Sequence, residues 1–119
     1  MGAPSRQAAE EHYFAALDHY GEGRVPEAVS AYKRAIEIDP TFTDAMHGLS
    51  RAYQDQLRFD DAIAIAGRIV AIDPEDVLAH TSLSILYQKK GMVPEAEAEA
   101  NKARVLGWKQ QLREQKTNP

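Results

Sequence analysis

The sequence predicts an all-α protein built of three stacked helix pairs, and three observations carry that expectation. Asp39-Pro40 returns as Asp73-Pro74, 34 residues on, and self-similarity at a fixed period of this kind marks a repeat architecture. Within each period apolar residues recur at three- and four-residue spacings, which fits amphipathic helices and not strands. Gly and Pro punctuate the pattern at matching places. The shift is broad: Ala28 maps onto Ala62 and Ala96, Ile38 onto Ile72 and Leu106, and Val25-Pro26-Glu27-Ala28 onto Val93-Pro94-Glu95-Ala96.

The first helix is expected over residues 7–22. It ends at Gly23, which can take the positive φ of a helix C-terminus. The second spans 26–38, with Pro26 in the first turn, where no intrahelical donor is lost, and Asp39-Pro40 stops it. The third runs from about 41 to 56, Thr41 and Asp44 having capping-box spacing, and the fourth from 59 to 72. The last pair is expected at 74–90 and 93–106. Ala16, Ser50 and Ser84 share one frame and Ala28, Ala62 and Ala96 another, small residues that let helices approach. Leu49, Leu83, Tyr53, Tyr87, Phe59, Tyr32 and Ile69 are the candidate core, because stacking of neighbouring pairs supplies the cover that one pair lacks.

The end of a stack needs a polar outer face. The third unit carries Glu97 where earlier units have Val29 and Ile63, and Arg104 where they have Ile36 and Val70. Gly107-Trp108 then replaces the Asp-Pro stop, and Trp108, Gln111, Leu112 and Gln115 suit one face of a short capping helix over 108–116. The domain layout is thus one unit over residues 7–116, with repeats at about 9–42, 43–76 and 77–108 followed by the cap. Residues 1–6 and 117–119 are expected to be disordered.

Over residues 9–106 the chain resembles the tetratricopeptide repeat family. Leu49, Tyr53, Phe59, Ala62 and Pro74 fall where that family's signature expects them, and Leu83, Tyr87, Gly91 and Ala96 repeat most of it. The first repeat departs from the pattern, with Ala15 for the usual Leu and His19 for the usual Tyr. The resemblance implies a right-handed superhelical solenoid of three helix-turn-helix repeats whose first helices line a concave groove. It also implies a protein-protein interaction module or scaffold that binds a partner peptide or helix there, and no enzyme.

The 34-residue frame aligns Tyr13 with His47 and Thr81, Leu17 with Arg51 and Ile85, and Tyr20 with Gln54 and Gln88. Leu78 and Lys89 join the third row. Spacings of four and then three residues keep each trio on one helix face. Tyr13 and Tyr20 offer apolar area with a polar tip, and Arg51 can fork onto a carboxylate or a backbone carbonyl; alternatively Arg51 pairs with Asp55 at i,i+4. One branch of the family binds acidic chaperone C-termini through a clamp of Lys, Asn, Asn, Lys and Arg. The corresponding places here hold Tyr13, Leu17, Gly48, Leu78 and Ser82, so that ligand is not expected.

Composition excludes several other functions. The formal net charge of -4 lacks the basic surface that nucleic acid requires. With no cysteine there is neither a disulfide framework nor a thiolate zinc site. No apolar run resembles a signal peptide or a membrane span, so a cytoplasmic protein without membrane contact is expected. His12 and His80 read as satisfied core groups. No His and carboxylate set has metal-ligand spacing, and no nucleophile with its base or phosphate loop appears, so no catalytic residue, metal or cofactor is expected. The run Glu95-Ala96-Glu97-Ala98-Glu99 reads as a solvated helix start. A second expectation is a self-assembling unit, a homo-oligomer joined end to end through Trp108 and the exposed flank of the first repeat.

Overall fold

The computed structural model describes residues 2–117, and the side chains of 6–116. Among the described residues there are six helices and no strand: α1 (Gly2–Gly21), α2 (Val25–Ile38), α3 (Thr43–Asp55), α4 (Phe59–Ile72), α5 (Val77–Lys89) and α6 (Val93–Thr117). The fold is an all-α helical repeat. The helices group into two compact units, Met1–Ile65 and Ala66–Pro119, which divide within α4. No helix among the described residues is long and apolar enough to cross a membrane.

In unit 1, α1 packs against α2 and α3, and α2 against α3. Ala9 and Ala16, seven residues apart on α1, are fully buried. On α2 the buried set is Ala28, Val29, Tyr32, Ala35 and Ile36, and on α3 it is Ala45, Met46, Leu49, Ser50, Ala52 and Tyr53, each a single helical stripe. Ser50 does more than leave room, since its hydroxyl donates to the Ala62 carbonyl at 3.1 Å. In unit 2, α5 packs on α6, and Ser84 makes the equivalent bond to the Ala96 carbonyl at 2.8 Å. Ile69, Leu83 and Leu86 are buried, whereas the expected core residues Phe59 and Tyr87 are only half-buried.

The turns repeat as faithfully as the core. After α1, Gly23 donates to the Tyr20 carbonyl and Arg24 to that of His19. After α3, Leu57 donates to Gln54 and Arg58 to Tyr53; after α5, Gly91 donates to Gln88 and Met92 to Tyr87. These are Schellman closures, which need a left-handed residue at the turn. Gly23 and Gly91 supply it with φ of 80° and 74°, but the middle turn uses Leu57 at 60°.

Several boundaries differ from expectation. Helix α1 begins at Gly2, so residues 2–6 are helical; Arg6 pairs with Glu10 one turn on and with Asp39, and stacks over Phe42 at 3.9 Å. Thr41 and Asp44 form no capping box: α3 starts at Thr43 with Phe42 at the N-cap and no side-chain cap, and Thr41 lies in the preceding turn, donating from its N–H and its hydroxyl to Asp39. Helix α5 starts at Val77, where Asp76 caps it by accepting from Ala79 N–H at 3.0 Å. There is no separate capping helix, since α6 continues unbroken through Gly107 and Trp108 to Thr117. A helical Gly costs only about 1 kcal/mol relative to Ala, and no proline follows it before Pro119. Trp108 therefore is not packed away as a cap but stays 61% exposed. Gln110 donates to the Glu75 carbonyl, and Arg113 forks onto the Glu75 carboxylate, tying the extension to the turn before α5. Pro119 and its neighbour Asn118 lie outside the described residues.

The acidic run also departs from a uniformly solvated face. Glu95 and Glu97 are exposed, but Glu99 Oε2 lies 2.6 Å from His80 Nδ1, while His80 Nε2 lies 2.8 Å from the Pro74 carbonyl. Both ring nitrogens thus have hydrogen-bond partners. His80 is buried and hydrogen-bonded, in the frame where Met46 is buried in unit 1.

Candidate peptide-binding face

Unit 1 brings six of the sequence-predicted residues onto α1 and α3. Tyr13 is half-buried, its ring 5.0 Å from Phe42, 5.6 Å from Phe14 and 6.2 Å from Tyr32 between centroids. Burial pushes its hydroxyl up from the ordinary tyrosine range, with the nearby Asp44 charge adding to the effect. Tyr20 donates its hydroxyl to Asp55 at 2.5 Å and accepts from Arg51 Nε at 3.2 Å. Its own titration is likewise raised, first by burial and then by the bond to Asp55. Arg51 thus reaches Asp55 through Tyr20, in a chain that links α1 and α3. Leu17 and Arg51 are exposed, and His47 and Gln54 half-buried.

Other residues that build this face were not among the predicted site residues. Tyr32, expected as core, is buried under α3 with its hydroxyl shifted up by burial. A Cβ on Gly48 would strike the Tyr32 ring at Cε1, Cζ and the hydroxyl, so the glycine is what lets this ring lie under the helix. Its position inside a helical pattern was the one sequence signal for this close approach. Phe14 and Phe42 carried no such signal, and Asp55 only its i,i+4 spacing from Arg51.

Unit 2 presents the equivalent face on α5. Leu78 is 57% and Ile85 43% exposed, Gln88 and Lys89 are exposed, and Thr81 is half-buried. The Thr81 hydroxyl donates to the Val77 carbonyl of its own helix at 3.0 Å. This face is apolar with a cationic end, whereas that of unit 1 is aromatic and hydrogen-bonded.

No group of three His, Asp or Glu side chains among the described residues could hold a metal ion. A tetratricopeptide repeat family model matches residues 19–81, more than half of the chain. The chain belongs to the tetratricopeptide repeat family. This is a fold of the interaction-scaffold type, and solved structures agree with the assignment. The crystal structure of MamA is similar with a TM-score of 0.84 and 26% identity, over 86% of this chain and 60% of that one. The chain thus spans about three fifths of that tetratricopeptide repeat structure. The Yersinia enterocolitica type III secretion chaperone SycD, in complex with a peptide of the translocator YopD, gives 0.81 at 21% identity, over 84% and 76% of the two chains. The second repeat domain of Spaghetti (RPAP3), bound to the HSP90 peptide SRMEEVD, gives 0.80 at 18%, over 85% and 94%. Comparison with curated proteins gives no match.

Proposed function

We propose that the α1 and α3 face of unit 1 holds a peptide segment or helix of a partner protein, with Tyr13, Leu17, Tyr20, His47, Arg51 and Gln54 as its contacts. The observation that carries this reading is the Arg51 to Tyr20 to Asp55 chain. It fixes two recognition side chains in place while Arg51 stays exposed, and ordering side chains before binding removes part of the entropic cost of association. A guanidinium has five N–H donors, so one bond to Tyr20 leaves Arg51 the chemistry to hold a carbonyl or carboxylate. Tyr13 and Leu17 supply the apolar contact. The α5 face of unit 2, with Leu78, Thr81, Ile85, Gln88 and Lys89, is proposed as a second surface suited to apolar side chains.

Two relatives of the same fold are solved with bound peptides, one of YopD and one of HSP90, which supports a peptide ligand. The absence of the five clamp groups argues for a different ligand from an acidic chaperone tail. A small face of this kind suits micromolar affinity, about 8 kcal/mol. The test is affinity capture with the wild-type chain, Tyr13→Ala and Arg51→Glu, their helical content checked by circular dichroism. Partners retained by wild type should be lost from both variants. Equal retention by folded variants would remove this face as the site.

A further inference from the structure

Two exposed apolar stripes carry charged flanks opposite in sign, one on α6 outside the proposed peptide site and one on α1 that borders that site and shares Leu17 with it. On α6, Val105, Trp108 and Leu112 are 44%, 61% and 58% exposed and lie three and four residues apart, on one face. Arg104 sits one turn before Trp108, Lys109 one turn after Val105, and Lys116 one turn after Leu112. Val105 also lines an apolar cleft of about 550 Å³ with Val70, Pro74 and Leu106, which extends the apolar surface within unit 2. On α1, Phe14 is 57% exposed, with Leu17 at 42% beside it. Glu10 and Glu11 lie one turn before Phe14 and Asp18 one turn after it. The imbalance is wider than these helices. Residues 1–65 carry six Lys+Arg against eleven Asp+Glu, while residues 100–116 carry five Lys+Arg against one Glu.

We propose that the α6 stripe of one copy docks on the α1 stripe of a second copy, so that the chain associates head to tail. Each stripe is a poor match for itself, because self-pairing would set like charges against each other, whereas the α1 and α6 flanks attract. The contact therefore joins two different surfaces, and a copy that docks its tail still has a head to offer, to the same partner or to a further copy. Desolvation of Trp108 and Phe14 supplies the affinity, and the flanks set the orientation.

Sedimentation velocity on the full chain tests this. Average mass should rise above that of the monomer as protein approaches about 1 mM, the weak range expected of a small interface. It should fall as salt increases from about 50 to about 500 mM, which shortens the screening length severalfold. Two folded variants, Phe14→Ser with Glu11→Lys (no head) and Trp108→Ser with Lys109→Glu (no tail), should each be monomeric. Mixed, they should form a dimer and stop there, since one retains only a tail and the other only a head. A second pair tests the flanks alone: Lys109→Glu/Lys116→Glu and Glu11→Lys/Asp18→Lys should each lose association and regain it on mixing. A strictly monomeric wild type overturns the proposal. So does association of the headless variant by itself, which would mean α6 pairs with α6. A monomeric wild type whose α6 binds phosphatidylserine vesicles, and loses them in Lys109→Glu/Lys116→Glu, would assign the stripe to a membrane surface instead.

Discussion

At Gly48 one missing methyl group shapes the candidate face. Replacing a helical Gly with Ala ordinarily gains up to about 1 kcal/mol. Here the added Cβ meets the buried Tyr32 ring, and overpacking of this kind costs about 1–3 kcal/mol. Gly48→Ala should therefore lower stability by about 1 kcal/mol, and pairing it with Tyr32→Leu should recover most of the loss. Urea unfolding of the two single variants and the double decides it, and a more stable Gly48→Ala would show that the ring has room to move. The same site shows where the sequence ran out. Tyr13, Tyr20 and Arg51 were identifiable as one stripe because helical spacing fixes which residues share a face. The route from Arg51 through Tyr20 to Asp55 was not, because it crosses between helices and no spacing rule specifies such a bond. The i,i+4 alternative named the right acid and missed its intermediary.

Among the elements, the turns make the sharpest comparison. Three Schellman closures stand 34 residues apart, and Leu57 alone adopts the left-handed conformation without being Gly. That conformation costs a residue with a Cβ roughly 1–2 kcal/mol, while Gly loses about 0.5–1 kcal/mol in chain entropy. Leu57 is 74% exposed, so little burial is forfeited. Leu57→Gly should stabilise the protein by about 0.5 kcal/mol, seen as a higher thermal midpoint, and a lower midpoint would mean the leucine makes a contact that outweighs its backbone. Helix existence was legible throughout, since periodicity and the Asp-Pro stops are local. Helix ends were less so. The Thr41 cap failed because α3 begins at Thr43, with Thr41 held in the turn by its bonds to Asp39, and the α6 stop failed because glycine without a proline close behind it interrupts a helix only weakly.

Across the molecule, each unit carries a carboxylate held below its ordinary range. In unit 1 the Thr41 hydroxyl and N–H, and then Arg6, lower Asp39; in unit 2 the Arg113 guanidinium lowers Glu75. A depressed folded-state value means the unfolded chain binds the proton first. The stability contributed is fully present above about pH 4, the ordinary carboxylate range, and is lost as pH falls through the lowered folded-state value. Asp39→Asn should accordingly lose less of its thermal midpoint between about pH 6 and about pH 3 than wild type does. Melting curves at the two pH values measure this, and an unchanged difference would show that Asp39 does not couple protonation to folding. The composition gave no hint of it, because an overall charge of -4 does not reveal which carboxylates find partners.

Trp108, left exposed by the unbroken run of α6, is the chain's one tryptophan, while four of the five tyrosines, Tyr13, Tyr20, Tyr32 and Tyr53, lie in unit 1 and Tyr87 lies in unit 2. The protein therefore carries two separate optical reporters. A peptide settling on the α1 and α3 face should perturb tyrosine emission and leave the tryptophan spectrum at its solvent-exposed wavelength. Head-to-tail association should shift that spectrum to the blue as the indole leaves water. A fluorimeter, with no label attached, can distinguish a protein that holds others from one that holds itself.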